Sequence, residues 1–398
     1  MNSHSPDPIV IVDGARTPMG GFQGELADVT APELGAVSIR AALSRAGIEG
    51  KDVDEVIMGC VLAAGLKQAP ARQASLGAGI PEASGCTTIN KMCGSGMKAV
   101  MFAHDQLMAG SASVMIAGGL ESMSNAPYLL PKVRDGLRMG HGEVKDHMFL
   151  DGLEDAYEPG KLMGHFAEKT AQHYQFTREA QDSFAITSLQ RAQAAMTSGA
   201  FDTEIEAVTV KNRKGDVTIS ADEQPPKANL DRIPSLRPAF AKDGTVTAAN
   251  ASSISDGAAA LVLMRQSEAE RRGLSPRARI LAHASHAQAP EWFTTAPVYA
   301  MEKLLGKLGT TADTIDLFEI NEAFAVVTMA AMKELGLPHE KVNVYGGACA
   351  LGHPVGASGA RILVTLLNAL ERHSLDRGIA SLCIGGGEAT AVAVELIH

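Results

Sequence analysis

The chain has 398 residues, 45% hydrophobic and 20% charged, which excludes a disordered, collagen-like or coiled-coil protein and suggests two or three domains. A formal net charge of −10 speaks against non-specific nucleic-acid binding, which needs an excess of Lys and Arg, but leaves room for a local cluster that takes an anionic small molecule. No run of 18 apolar residues exists, so no membrane-spanning helix is expected.

Met1 to Asp7 carries Asp and Pro rather than the basic and apolar stretches of a leader, and Glu395 to His398 matches no short C-terminal address, so the expected location is the cytoplasm. The cysteines are Cys60, Cys86, Cys93, Cys349 and Cys383, a sparse, odd set that fits a reducing compartment without disulfides. Their spacing offers no zinc motif, and no metal is expected. His4, His104, His141, His147, His173, His339 and His373 lie in polar contexts and read as solvated, while His165, His283 and His286 receive no role.

In chain order, Pro8 to Val12 reads as a strand, Pro32 to Ala46 as a helix opened by Pro, and Val56 to Met58 and Thr87 to Asn90 as strands. A helix follows from about Ser95 to Met108, then a strand from Ser113 to Ala117 closed by Gly118-Gly119. This alternation predicts an α/β domain. Between about 126 and 250 the rhythm fails: charge, Pro and Met increase, and one strong helix, Thr177 to Ser198, stands out with Thr177 as N-cap and Glu179 in its first turn. This stretch reads as a long insertion. The rhythm then returns with strands at Ala258 to Met264, Arg279 to Ala284, Ile315 to Ile320, Val342 to Val344, Ile379 to Ile384 and Ala391 to Ile397, and helices at Tyr299 to Leu308, Ala323 to Leu335 and Ala357 to Arg372. Cys93-Gly-Ser-Gly96 and Gly356-Ala-Ser-Gly359 each open a helix, each expected after a strand, and a Gly pair or triplet closes a strand downstream of both. The two α/β parts therefore read as a duplication, although such turns recur in many α/β proteins.

Cys93 stands where a strand passes into a helix, among small residues that let a substrate reach the sulfur. Free N–H groups at a helix start lower a thiol pKa, which would activate a nucleophile; the alternative is a small core thiol. His353 lies in a Gly-rich loop before a helix, in apolar surroundings that would keep it neutral and able to accept a proton, unless it only caps the helix. Cys383 ends a strand beside Gly385-Gly386-Gly387, whose N–H groups could receive an oxyanion; it could equally pack the strand. Asn321 ends another strand and could orient a water or carbonyl, or cap the next helix. Two cysteines, a His and an Asn, all expected at strand ends, suggest acyl transfer through a thioester.

The motifs Asn90-Lys-Met-Cys-Gly-Ser-Gly96, Asn250-Ala-Ser-Ser-Ile-Ser-Asp-Gly-Ala258, Asn321-Glu-Ala-Phe324 and Gly352-His-Pro-Val-Gly-Ala-Ser-Gly359 make nearly the whole chain resemble the thiolase family. The resemblance implies a five-layered αβαβα fold from two duplicated halves: residues 1–125 completed by about 251–277, and residues 278–398, with an inserted CoA-binding loop domain at 126–250. It implies reversible Claisen condensation of two acetyl-CoA to acetoacetyl-CoA and CoA. In that scheme Cys93 becomes acetylated, His353 takes its proton and Cys383 handles the α-proton. His353 and a water held by Asn321 stabilise the enolate oxygen, and the N–H groups of Cys93 and Gly385 form the oxyanion site. Leu153, Met163, Ala248, Ser252 and Phe324 fall on CoA-lining positions.

Two departures accompany this match. Leu162-Met-Gly164 stands where some relatives have His-Met-Gly, and a family Arg falls at Pro225, with Lys227 two residues on as a substitute contact. Phe293 falls where some acetoacetyl-CoA-specific relatives have Met, which leaves the chain-length preference open. The resemblance further implies CoA as substrate rather than a tightly held cofactor, and a homo-oligomer, expected to be a tetramer. Competing readings are a broader-range 3-ketoacyl-CoA thiolase, a β-ketoacyl-carrier-protein synthase, which would lack Cys383 and the insertion, and a non-catalytic thiolase-like binding protein, which would be expected to have lost a reactive residue.

Overall fold

The structure, a computed structural model, describes residues 7–213 and 215–398; His4 lies outside them. The principal strands are β1 (Ile9–Arg16), β2 (Glu55–Gly59), β3 (Gly85–Ile89), β4 (Val114–Ser122), β5 (Ser255–Arg265), β6 (Ala278–Ala287), β7 (Leu317–Ile320), β8 (Arg377–Ile384) and β9 (Glu388–Leu396). The principal helices are α1 (Ala31–Ala46), α2 (Pro70–Gly77), α3 (Ser95–Ala109), α4 (Met163–Tyr174), α5 (Arg178–Thr197), α6 (Gln266–Arg272), α7 (Ala296–Leu308), α8 (Ala325–Leu335) and α9 (Ser358–His373). Local chemistry sets their ends. The Glu33 carboxylate receives the Thr30 N–H at 2.9 Å and its hydroxyl at 2.6 Å, which opens α1, and Gly47 at φ 66° closes it.

The strands order as β3-β2-β4-β5-β1 and, beyond them, β6-β9-β8-β7. In the first half β2 runs parallel to β3 and β4, and β5 antiparallel to β4 and β1. The second half repeats this: β7 runs parallel to β8 and, by a bridge from Phe318, to Val342, while β9 is antiparallel to β8 and β6. Among the described residues the two half-sheets meet where Val10 and Ile11 of β1 pair with Arg279 and Ala278 of β6. Helices α1 and α2 cover one outer face and α7 and α8 the other, with α3 and α9 packed together in the middle layer. Every residue of α9 from Ser358 to Leu370 is buried, as a central layer requires. The result is the expected five-layered αβαβα arrangement.

The β4–β5 connection spans residues 123–254, whereas its counterpart between β8 and β9 is the turn Gly385–Gly387. The long connection carries α4 and α5, and Thr177 caps α5 through its hydroxyl, which receives the Ala180 N–H at 3.1 Å. It is fixed to the body by fully buried Arg16, which pairs with Glu204 at 2.5 Å and Asp222 at 2.6 Å. Removing one partner of such a pair typically costs about 3–5 kcal/mol, because the other charge stays buried and uncompensated.

Several expectations are corrected. Gly118-Gly119 do not close β4 but lie inside it, because added Cβ atoms there would meet the Ala259 and Gly356 carbonyl oxygens at 2.1 and 2.0 Å. Val342 to Val344 is not a strand: Asn343 takes φ 49°, and its side chain spans Ile320 N–H and C=O at 2.8 Å each. The segment before Gly356 is the helical turn Ala348–Leu351 and a loop, not a strand. His147 is buried rather than solvated, with Nδ1 2.6 Å from Asp151 and Nε2 receiving the Ala64 N–H at 3.3 Å.

Candidate active site

After β3 the chain turns sharply at Met92, whose φ of 46° is left-handed. The Asn90 carboxamide oxygen receives the Met92 N–H at 2.9 Å, and the Ser95 hydroxyl donates to Met92 C=O at 2.6 Å. These bonds hold a conformation that a bulky residue rarely adopts. Cys93 follows, half-buried, two residues before α3. The next residues must be small: a Cβ on Gly94 would lie 2.3 Å from Ile384, and one on Gly96 2.9 Å from the Ala360 nitrogen. The Cys93 pKa moves opposite to the sequence-based expectation. Burial pushes it up to about 11, and the N–H groups of Gly385 and of Cys93 itself, both directed at the sulfur, only partly oppose that.

His353 is buried in the loop before α9, not at a strand end. Gly352 before it takes φ 103°, and a Cβ there would strike the Ser255 hydroxyl at 2.1 Å. His353 Nδ1 lies 2.5 Å from the Ser358 hydroxyl, which donates to Pro354 C=O at 2.9 Å. With that proton engaged, Ser358 accepts from Nδ1–H, and the lone pair resides on Nε2, which has no partner among the described residues. Burial, helped by the Arg361 charge, lowers the His353 pKa to about 3 and holds the ring neutral.

Asn321 leaves β7 buried, with its N–H on Ser381 C=O at 3.0 Å, its Nδ2 3.5 Å from His353 Nδ1 and its Oδ1 unpartnered. Cys383 is fully buried one residue before the end of β8; burial, then the neighbouring Cys93, holds its pKa well above the usual thiol range. The structure thus brings Cys93 together with Cys383 and the Gly385 amide, and Asn321 together with His353, with two neutral thiols and a neutral imidazole.

Glu121, which the sequence offered no motif to single out, ties these loops together. It is fully buried near the end of β4 and accepts the N–H groups of Val61 and Leu62 at 3.0 Å each and of Gly356 at 2.8 Å. Cys60 Sγ approaches it at 3.7 Å. Burial raises its pKa to about 7, and its charge raises that of Cys93.

The chain matches the family models described as thiolase, N-terminal domain, over residues 9–267 and thiolase, C-terminal domain, over residues 274–396. The chain belongs to the thiolase family. Among its relatives are proteins named acetyl-CoA acetyltransferase from Cupriavidus necator, 51% identical over 97% of this chain and 99% of that one, and from Schizosaccharomyces pombe, 46% identical over 98% and 99%. The Bacillus anthracis acetyl-CoA acetyltransferase structure superposes with a TM-score of 0.96 at 42% identity, covering 99% of this chain and 100% of that one. The Acat5 thiolase of Ascaris suum, solved in complex with coenzyme A, superposes at 0.93 and 42%, covering 98% and 100%.

The residues that the sequence resemblance expects along CoA fall in three places. Leu153 packs in the apolar cluster beside Cys93, together with Met92, Val355 and Ile254. Met163, Phe324 and Phe293 share the cluster of Cys383, and Ser252 N–H bonds Ala323 C=O at 2.9 Å beside them. Ala248 and Lys227 line a groove of about 390 Å³ with Arg232, Cys349 and Ser253. Ser253 C=O receives the His353 N–H at 3.2 Å, which joins the groove to the catalytic loops. Lys227 itself is engaged by Glu223 at 2.6 Å and Glu25 at 3.1 Å.

Proposed function

We propose that this thiolase is an acetyl-CoA C-acetyltransferase that condenses two acetyl-CoA to acetoacetyl-CoA and CoA, or runs the reverse thiolysis. The observation that carries this reading is the convergence of the Cys93 and Gly385 amides on the Cys93 sulfur, with Cys383 beside it and His353 Nε2 unpartnered. As Cys93 attacks the thioester carbonyl, its proton passes to His353 Nε2. The two amides receive the oxyanion, and the intermediate expels CoA thiolate, which takes the Cys383 proton. Cys383 thiolate then removes the α-proton of a second acetyl-CoA. The resulting carbanion attacks the acetyl carbonyl, and Cys93 leaves and regains its proton from His353. Asn321, with a bound water, stabilises the enolate oxygen.

The raised thiol pKa values support this order of events. Resting thiols are neutral, so charge develops only as bonds form inside a dry site, and a high-pKa thiolate is a strong base for a weakly acidic C–H. Leu153, Met163, Ala248, Ser252 and Phe324 line the pantetheine path. Lys227 meets a CoA phosphate only by exchanging a carboxylate partner. CoA acts as substrate, and no tightly held cofactor is required.

The chain divides into a half at 1–125 completed by 251–277, a loop domain at 126–250 and a half at 278–398. Exposed Tyr128, Leu130, Leu137, Met139 and Tyr157 on that loop domain support a homo-oligomer, which we take to be a tetramer. Five free cysteines support a cytoplasmic location, and no helix among the described residues is long and apolar enough to cross a membrane.

The broader-range 3-ketoacyl-CoA reading turns on Phe293, which is buried with its ring edge-on against Phe166 and Phe324 at 6.5 Å each. A series of 3-ketoacyl-CoA thiolysis rates, with mass spectrometry of the acyl-enzyme, tests both. The rate should be highest at four carbons and fall as the chain lengthens. An undiminished rate for medium chains would replace the first reading with the second, and absence of any Cys93 adduct would remove both.

A further inference from the structure

His104 and Asp105 on α3 meet His283 on β6, away from the catalytic loops. His104 Nδ1 lies 3.0 Å and His283 Nε2 2.9 Å from the same oxygen, Asp105 Oδ1. The two rings stand edge to face with centroids 4.9 Å apart, and the three donor atoms all lie within 4.8 Å of one another. We propose that His104, Asp105 and His283 form a zinc site that staples the nucleophile's helix to the second half of the molecule. Two imidazole nitrogens and one carboxylate oxygen are a donor set suited to Zn²⁺, with water completing the tetrahedron.

The spacing supports this assignment. Metal–ligand bonds of about 2.0–2.2 Å in a tetrahedron set the donors about 3.3–3.5 Å apart, so the two His–Asp separations need to open by only a few tenths of an ångström. Zinc replaces the two protons that now bridge the rings to the carboxylate. Each neutral ring moves its proton to its other nitrogen, so the proton count is unchanged. The neighbouring cations Lys98 and Lys307 oppose the ion, but both are engaged elsewhere: Lys98 lies over the Phe102 ring and Lys307 donates to His283 C=O at 2.8 Å. His104 is nine residues into α3, about 14 Å from its start, so the ion would act on rigidity rather than on the chemistry. Among the described residues the half-sheets are joined by one strand pair, β1 with β6, through two residue pairs, which makes a cross-link here effective.

The test uses the full-length protein, stripped with a chelator and treated with iodoacetamide so that thiols do not bind metal, and titrated calorimetrically with ZnCl₂. One saturable equivalent per chain is expected, with a raised Tm. His283→Gln and Asp105→Asn should each weaken binding about tenfold or more, with folding verified by circular dichroism. Asp105 is more than half exposed, so its variant tests the site even if His283→Gln misfolds. Co²⁺ in place of Zn²⁺ should give visible bands without the near-ultraviolet thiolate charge-transfer band. No saturable equivalent, undiminished affinity in Asp105→Asn, or a thiolate band would overturn the assignment and leave two ordinary His–Asp hydrogen bonds.

Discussion

The two α/β halves share one strand order and one pattern of parallel and antiparallel pairs, yet equivalent positions carry different chemistry. Glu121 is the second-last residue of β4, and Cys383 the second-last of β8. Cys60 directly follows β2, and Asn321 directly follows β7. In the first half the Cys60–Glu121 pair is spent on holding loops; in the second, Cys383 and Asn321 are the residues we propose for the chemistry. In the proposed mechanism the loop before α3 supplies the nucleophile and the loop before α9 the base. The duplicated frame thus supplies two pairs of equivalent strand-end positions, of which the first half uses its members for support and, in our proposal, the second uses its members for catalysis.

The largest expected effect falls on the first half. Cys93→Ser should show no acetyl adduct by mass spectrometry after mixing with acetyl-CoA, while circular dichroism stays native. Acetylation at the wild-type level would reassign the nucleophile. Cys383→Ala should separate the halves: it should still accept an acetyl group, yet exchange of the acetyl-CoA methyl protons with deuterated water should fall about 10⁴-fold or more. Near-normal exchange would reduce Cys383 to a packing residue. Ser358→Ala should be milder. It frees the His353 ring to rotate or change tautomer, and displacements of about 1 Å typically cost about 10²-fold in rate. A kcat unchanged by Ser358→Ala would show that the loop alone orients His353.

The sequence singles out the proposed catalytic residues, because Gly-rich junctions and the Cys, His and Asn near them are local features. The duplication is also visible in the rhythm of elements, except at Val342 to Val344. There the apolar pair Val342 and Val344 suggests a strand, but Asn343 bends the backbone to bond Ile320, a partner more than 20 residues distant. Helix α4 escapes notice because Leu162 offers no polar cap and Gly164 sits in its first turn, against Phe240. The sign of the Cys93 pKa shift is not readable either. The helix start is visible in the sequence, whereas the burial that outweighs it depends on Ile384, Leu153 and Val355 arriving from distant segments. Glu121 is hidden for the same reason: its three amide partners come from two loops separated from it by 59 to 235 residues.

Glu121→Gln is the smallest of these changes and the most direct test of the support role. The amide keeps the shape but turns one acceptor oxygen into a donor. Either the Val61 and Gly356 N–H groups or the Leu62 N–H then face an NH₂, and a buried donor without a partner costs about 1–3 kcal/mol. Acetylation per alkylatable Cys93 should fall about tenfold with the KM for acetyl-CoA little changed, because the loops shift and the groove does not. A simple loss of stability would lower the active fraction but not the rate per active site. Charge supplies a second, independent readout. Ionised Glu121 raises the Cys93 pKa, so its removal should lower that pKa and move the midpoint of Cys93 alkylation to lower pH. The difference between wild type and variant should be present above about pH 7, where the wild-type carboxyl is charged, and should fade below it as that carboxyl protonates. An alkylation profile identical in both proteins across that range would show that Glu121 acts only as a structural acceptor and exerts no field on the nucleophile.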